Sequence, residues 1–179
     1  FGVAVLLNSD LRDGSLRESA VEHGTKILLY EAGEALRFDE LSIRAGVKGV
    51  MNILSHLGMT RKRRTRKVFE PFIAYSSSWV RANASGIVRN LVHIGDQVKR
   101  GDVLAEIGTP FGDVVGLVKA SRSGIVIGKQ NIPLVQEGEA MFNVANFKED
   151  DEDVADQIES LNEALIPEYD VALGDRNII

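Results

Sequence analysis

Apolar residues along the first thirty positions predict a strand, a short helix and a second strand. Residues 1–7 (FGVAVLL) form a continuous apolar run, which is typical of a strand buried on both faces of an α/β sheet. Ser15 and Glu18 have the spacing of a capping box, and Gly24 suits the end of the helix that they begin. Residues 26–30 (KILLY) predict a second buried strand. This order is that of a βαβ unit in a parallel or mixed sheet.

A longer amphipathic helix is predicted from Asp39 to Gly58. Asp39 suits the N-cap position and Gly58 suits the end of a helix. Apolar residues between them recur at steps of four, three, four and three, so they share one face of the helix. These residues are Ile43, Val47, Val50, Leu54 and Leu57. We expect this face to lie on the sheet.

The hydrophobic period changes after Val68, where short strands alternate with glycine-containing turns and predict an all-β module. The module contains an internal repeat, because residues 80–88 (VRANASGIV) match residues 118–126 (VKASRSGIV) at an offset of 38. One residue is deleted further on, after which Val98, Gly101, Leu104 and Ile107 correspond to Val135, Gly138, Met141 and Val144. Two similar halves predict a barrel or sandwich with pseudo-two-fold symmetry.

The repeat resembles the biotinyl/lipoyl-like, or barrel-sandwich, fold. The resemblance lies in the A-x-x-S-G-I-V stretch and in residues 95–108 (GDQVKRGDVLAEIG). In carrier proteins of that fold, a lysine at the tip of the central hairpin bears the cofactor. Here the hairpin between the two halves is TPFGD, residues 109–113, and Lys119 lies inside the second repeat. The sequence therefore argues against a swinging-arm carrier.

Charge is distributed unevenly along the chain. The formal net charge is -5, but residues 148–179 contain eleven acidic and two basic residues, so the rest of the chain is basic. Residues 61–67 (RKRRTRK) hold six bases without an interleaved aromatic residue, so we interpret them as a linker or a partner for the acidic tail rather than a nucleic-acid site. The tail fits either a short amphipathic helix, which could contact another subunit, or a mobile acidic arm.

Several classes of protein are excluded by what the sequence lacks. The absence of cysteine excludes disulfides, thiol nucleophiles and cysteine-ligated metals. No apolar run approaches the roughly 18 residues that span a membrane, and no secretory signal is visible, so we expect a cytoplasmic protein that does not bind membranes. His23, His56 and His93 have no partner at H-x-x-E or H-E-x-x-H spacing, and we interpret them as structural or exposed residues.

We call residues 1–60 the first module, and charged side chains follow both strands predicted in it. Arg12 lies in the loop after the first strand, Arg17 lies on the helix behind it, and Glu31 directly follows the second strand. Ligands of α/β sheets collect at the carboxyl ends of strands. A carboxylate there can act as a general base, and an arginine can bind a substrate carboxylate with two hydrogen bonds. On these residues alone, a structural Arg–Glu pair explains the pattern equally well.

Residues 8–20 (NSDLRDGSLRESA) and 26–46 (KILLYEAGEALRFDELSIRAG) resemble the later half of the catalytic domain of the succinylglutamate desuccinylase/aspartoacylase family. These proteins are zinc-dependent deacylases related to the zinc carboxypeptidases, and they carry a C-terminal β domain. The resemblance implies a zinc ion held by two histidines and a glutamate, and a strand-end glutamate as general base. Glu31 corresponds to that base. Arg17 is the candidate for binding the substrate carboxylate, with Arg12 as the alternative.

The family's zinc ligands would precede Phe1, so we expect the chain to be the later part of a longer enzyme and to hold no catalytic zinc alone. The predicted fold is an incomplete α/β carboxypeptidase-like sheet over 1–60, a basic linker over 61–70, a barrel-sandwich-like β domain over 71–147 and an acidic tail over 148–179. The implied partner is a small N-acyl amino acid-like substrate, and a homo-oligomer is left open. The alternative is a non-catalytic binding or adaptor module built on the β domain.

Overall fold

The computed structural model describes residues 1–61, 70–147, 156–161 and 163. These residues form mostly β structure with few helices. The elements are β1 (Val5–Leu7), α1 (Leu16–Glu22), α2 (Glu40–His56), β2 (Phe72–Ala74), β3 (Ser76–Arg81), β4 (Gly86–Asn90), β5 (Gln97–Val98), β6 (Val103–Gly108), β7 (Val114–Lys119), β8 (Gly124–Lys129), β9 (Leu134–Val135) and β10 (Ala140–Asn146). Within the described part of the chain, no helix is both long and apolar enough to span a membrane.

The first module has one short strand where the sequence predicts two. β1 pairs in parallel with β2, with Leu6 opposite Ile73. Residues 26–30 form no strand, and Leu28 and Leu29 are 64% and 55% exposed. The predicted βαβ unit is therefore wrong for the described structure. A strand needs a hydrogen-bonded neighbour as well as an apolar sequence, and β1 has β2 as its neighbour instead.

Both predicted helices form, and both begin at the predicted caps. The Ser15 hydroxyl accepts a hydrogen bond from the Glu18 backbone N–H at 3.2 Å, and the Glu18 carboxylate accepts one from the Gly14 N–H at 2.6 Å. Asp39 accepts from the Ser42 N–H at 2.6 Å at the start of α2. These bonds satisfy N–H groups that a helix leaves without an internal partner.

The predicted apolar face of α2 does not pack on a sheet in the described structure, so that prediction is wrong. Ile43, Val47, Val50 and Leu57 are 41–64% exposed. The helix packs instead through Gly46 and Gly49, where a Cβ would meet the rings of Tyr30 and Phe1. A helix surface without side chains lets an aromatic ring approach the backbone closely, and here that approach determines which face is covered.

The all-β module, called the β module below, consists of two four-stranded sheets formed by β3 to β10. One has the order β3-β10-β8-β5 and the other has the order β7-β6-β4-β9. In the sequence repeat, β3, β4, β5 and β6 correspond to β7, β8, β9 and β10, respectively. Replacing each strand of one sheet by its counterpart in the repeat gives the strand order of the other sheet. Each sheet therefore contains two strands from each half, so neither half can form a complete sheet alone.

One hydrophobic core lies between the two sheets. Its fully buried side chains include Leu104 and Ile107 of β6, Val118 of β7, and Phe142 and Val144 of β10. Equivalent positions of the two repeats contribute together, since Ile107 corresponds to Val144. The core thus joins the two halves by packing as well as by strand pairing.

A helical segment from the acidic tail lies against the first module. Residues 156–161 and 163 are helical, and Leu161 is 8% exposed. The Gln157 side chain donates hydrogen bonds to the carbonyls of Glu70 at 2.9 Å and Ala4 at 3.4 Å. Of the two predictions for the tail, the short amphipathic helix describes these residues. The basic run lies outside the described residues from position 62 onward.

Candidate functional site

Tyr30 fixes the chain immediately before Glu31. Its hydroxyl donates a hydrogen bond to the Ser42 carbonyl in the first turn of α2 at 2.9 Å. Its ring lies against the glycine surface of α2 at Gly46 and 5.1 Å from the Phe1 ring, measured between centroids. Tyr30 is therefore held by its ring contacts with Phe1 and Gly46 and by its hydrogen bond to Ser42, although the strand predicted for 26–30 is absent.

The loop from Glu31 to Asp39 then turns sharply back to α2. Gly33 has a φ of +74°, a conformation that glycine adopts without strain, and Leu36 has a φ of +64°. A Cβ on Gly33 would lie 3.5 Å from the Asp39 Cβ, so the loop closes tightly on the helix start. The two ends of the loop are thus anchored by Tyr30 and Asp39 on the same helical turn.

Two titratable groups at this turn have shifted pKa values. Hydrogen bonds from the backbone and the side chain of Ser42 lower the pKa of Asp39 below its usual 3.8. Burial, followed by the nearby Asp39 carboxylate, raises the pKa of Tyr30 above its usual 10.0. At neutral pH, Tyr30 therefore remains a hydrogen-bond donor and Asp39 remains an ionised helix cap.

Glu31, Arg12 and Arg17 are placed in one module but are not joined to each other. Glu31 is exposed at the start of the loop, Arg12 is exposed before α1, and Arg17 is half-buried on α1. Among the described residues, no hydrogen bond or ion pair links Glu31 to either arginine. The structural Arg–Glu pair considered as an alternative is therefore not formed there. All three side chains remain available to other groups.

The described residues hold no cluster of three or more His, Asp or Glu side chains able to bind a metal ion. The part of the chain that the structure describes therefore does not fit a complete zinc site. The zinc ligands that the resemblance implies stay a prediction.

The loop after Tyr30 also touches the β module, a contact for which the sequence gives no signal. The Asn131 side-chain amide donates to the Glu34 carboxylate at 2.7 Å, and Glu34 also pairs with Arg37 at 2.9 Å. Asn131 lies between β8 and β9, beside an open groove of about 270 Å³. Gln130, Ile132 and Leu134 line this groove, and Glu31 does not. The β module therefore supports the outer side of the Glu31 loop.

Three solved bacterial structures are similar in fold to this chain. Apo EutE (DoeB), an ectoine utilization protein from Ruegeria pomeroyi, has a TM-score of 0.70 at 19% identity, covering 80% of this chain and 47% of that chain. A succinylglutamate desuccinylase from a Silicibacter species has a TM-score of 0.67 at 19% identity, covering 81% and 46%. An aspartoacylase family protein from Mesorhizobium loti has a TM-score of 0.56 at 21% identity, covering 83% and 44%.

The structural neighbours are succinylglutamate desuccinylase/aspartoacylase family proteins, and this chain matches their C-terminal part. The chain spans less than half the length of each of these three proteins. No protein-family model matches the sequence, and no curated protein is significantly similar to it. The fold predicted by resemblance is thus confirmed at the level of the C-terminal part of these proteins.

Proposed function

We propose that this chain forms the C-terminal part of a zinc-dependent deacylase that cleaves an amide or ester bond in a small, carboxylate-bearing acylated substrate. The observation that carries the proposal is the shared fold with the C-terminal part of deacylase-family structures, at TM-scores up to 0.70. In this proposal the metal ligands lie outside the described residues. The cytoplasmic location expected from the sequence stays a prediction.

Glu31 has the role of general base in this proposal. Its carboxylate is exposed and has no hydrogen-bond partner within the described residues, so both oxygens can accept a proton from an attacking water. The same carboxyl group can then pass that proton to the leaving amine or alkoxide. Tyr30 is a positioning residue, because its contacts with α2 fix the backbone from which Glu31 projects.

Arg17 is proposed to bind the carboxylate of the substrate, with Arg12 as the alternative. A guanidinium can present two parallel N–H donors to a carboxylate, and this geometry gives both binding energy and orientation. Neither arginine has an ion-pair partner among the described residues. Arg17 lies on a helix, which holds it more rigidly than the loop holds Arg12.

The two-sheet module is proposed to belong to the barrel-sandwich class. Support comes from the symmetry of the two sheets, because replacing each strand by its counterpart in the sequence repeat converts one strand order into the other. The hairpin between the halves spans residues 109–113 and is closed by a hydrogen bond from the Thr109 N–H to the Asp113 carbonyl at 2.8 Å. Phe111 is 92% exposed there, at the place where carriers of that class hold their lysine.

Carboxylate recognition provides the experiment for the proposed function. In the full-length protein, kcat/KM would be compared for an N-acyl amino acid and for the matching N-acyl amine without the carboxylate. We expect kcat/KM to be about 100-fold higher for the amino acid. The amine lacks the carboxylate, so it would leave the substrate-binding arginine without a hydrogen-bond partner in the complex. Arg17→Ala should remove most of this preference through KM, and Arg12→Ala is its matched comparison.

The outcomes separate the enzyme from the adaptor module. Loss of the preference in Arg12→Ala alone would reassign the substrate-binding role to Arg12. Equal hydrolysis of both compounds would contradict carboxylate recognition. Hydrolysis of neither compound, nor of the matching esters, by a zinc-loaded protein would contradict the deacylase and favour the adaptor.

A further inference from the structure

Residues 156–161, called the tail helix below, contact two separate parts of the chain. The Gln157 side-chain amide donates a hydrogen bond to the Ala4 carbonyl of the first module at 3.4 Å. The next residue, Ile158, reaches the β module, where its Cγ2 atom lies 3.4 Å from the position that a Cβ on Gly95 would occupy. Two consecutive side chains of the tail helix therefore bridge the first module and the β module.

The contact with the first module lies at the end of the β1–β2 ladder. This ladder consists of two parallel strands of three residues each. At its first end the Ala4 carbonyl accepts the Phe72 N–H at 2.9 Å, and the same carbonyl accepts the Gln157 amide. Gln157 also donates to the carbonyl of Glu70, two residues before Phe72, at 2.9 Å. A two-stranded ladder is only marginally stable in water, so these additional bonds support it where it begins.

Some buried apolar side chains of the described residues lie outside the core between the two sheets. These side chains are Ala4, Ala74, Ile125, Ala145 and Leu161. Ile125 and Ala145 pair across β8 and β10, and both are 0% exposed. They point away from the core, because their neighbours Val126 and Val144 point into it and successive residues of a strand alternate between faces. The outer face of the sheet β3-β10-β8-β5 is therefore covered at this pair.

Two observations place the tail helix at that covered face. Gly95, which Ile158 contacts, donates its N–H to the Val126 carbonyl at 2.8 Å, so the contact lies beside Ile125. Leu161 is three residues after Ile158, which puts both on one face of the helix, and it is 8% exposed. The exposed residues of the tail helix are Asp156, Glu159 and Ser160. The apolar face of the tail helix is thus the face that packs on the protein.

We propose that the tail helix is an intramolecular clamp that fixes the first module to the outer face of the sheet β3-β10-β8-β5. Ile158 and Leu161 provide its apolar contacts, and Gln157 binds the end of the β1–β2 ladder. The clamp joins the two modules through residues other than Asn131 and Glu34, which form the contact at the Glu31 loop. This inference concerns how the chain is held together and does not depend on the proposed deacylase activity.

Amide hydrogen exchange in the full-length protein tests the clamp. Leu161→Asp places a charge at a buried position, where water cannot reach it unless the tail helix moves away. We expect the Asn8 and Phe72 amides, which donate across the β1–β2 ladder, to exchange about tenfold faster in this variant. Ser160→Asp adds the same charge to an exposed residue of the tail helix, so it is the matched control and should leave both rates unchanged.

A second variant and a third amide make the test specific to the ladder. Gln157→Ala removes both hydrogen bonds without adding a charge, and it should accelerate the same two amides by a smaller factor of about three. The Leu91 amide donates to the Leu104 carbonyl inside the β module at 2.9 Å, and it should keep its parent rate in both variants.

Two results would overturn the proposal. One is unchanged exchange of the ladder amides in both variants, because the ladder would then be held without the tail helix. The other is an equal acceleration at the ladder and at Leu91, because the tail helix would then stabilise the chain as a whole rather than this junction.

Discussion

The Tyr30 hydroxyl donates to the Ser42 carbonyl at 2.9 Å, and this bond joins the residue before Glu31 to the first turn of α2. The candidate base thus follows an anchored tyrosine. Tyr30→Phe keeps the ring packing but removes the bond, so we expect a loss of about 1 kcal/mol in the free energy of unfolding, measured with denaturant. In the full-length enzyme, kcat should fall more than KM rises, since the variant displaces Glu31.

The pH dependence of the same pair gives an independent check. The raised pKa of Tyr30 means that its contribution to stability is complete below pH 10 and is lost as the pH rises through the folded-state value. The difference in unfolding free energy between the parent protein and Tyr30→Phe should therefore shrink at high pH. A difference that stays constant would show that the hydroxyl does not act as a donor.

Asp39 should stabilise the start of α2 in a pH-dependent way. Asp39→Ala is expected to cost about 1 kcal/mol, because the Ser42 N–H loses its partner. Since the folded-state pKa of Asp39 is lowered, its contribution is present above pH 3.8 and is lost as the pH falls through the folded-state value. Helix content followed by circular dichroism during acid titration would measure this.

Asp39→Asn is the matched variant, because it retains a side-chain oxygen acceptor but does not titrate. Its stability should lie close to that of the parent protein at pH 7 and should lack the acid-dependent loss from this site. The account of the cap would be contradicted if Asn destabilised the helix as much as Ala does.

Two glycines of the β module should differ sharply in their tolerance of a methyl group. A Cβ at Gly86 would lie 2.5 Å from the Gly108 carbonyl oxygen, whereas a Cβ at Gly128 would lie 3.5 Å from the nearest atom, the Asn143 Cβ. We expect Gly86→Ala to cost about 2–3 kcal/mol through overpacking, and Gly128→Ala to cost under about 1 kcal/mol. Thermal unfolding of the two variants measures the contrast, and equal losses would argue against the close sheet contact at Gly86.

The bond between Asn131 and Glu34 should restrain the loop from Glu31 to Asp39. Asn131→Ala removes the donor, and Asn131→Asp places a second carboxylate 2.7 Å from the first. Amide hydrogen exchange in residues 31–38 should therefore accelerate in both variants, and more in Asn131→Asp. Asn90→Ala is the control, since Asn90 is an exposed asparagine without a side-chain hydrogen bond in the described structure. Unchanged exchange in both Asn131 variants would mean that the β module does not support the loop.

The sequence predicted the features that depend on neighbouring residues. Ser15 and Asp39 were identifiable as caps because a cap bonds to the backbone three residues away. The repeat between residues 80–88 and 118–126 was visible because equivalent positions face the same core. It indicated two similar halves, and the structure shows that these halves exchange strands between the sheets.

The features that depend on distant residues could not be predicted in this way. The apolar run at 26–30 has the composition of a strand, but whether it forms one depends on a neighbouring strand that composition does not specify. Likewise, the spacing of Ile43 and Val47 indicated an apolar helix face, but the approach of the Phe1 ring to Gly49 determines which face is covered. The contact between Glu34 and Asn131 joins residues 97 positions apart and leaves no local pattern.

The role of Glu31 is the central claim, and the turnover of an N-acyl amino acid by the zinc-loaded, full-length protein tests it most directly. Glu31→Gln keeps the size and hydrogen-bonding capacity of the side chain but removes its basicity. We expect kcat to fall by about 100- to 10,000-fold while the bound zinc, measured by elemental analysis, stays at the parent level. Glu22→Gln, the same change on exposed α1, should leave kcat unaltered. A Glu31→Gln enzyme that turns over substrate at the parent rate would contradict the account.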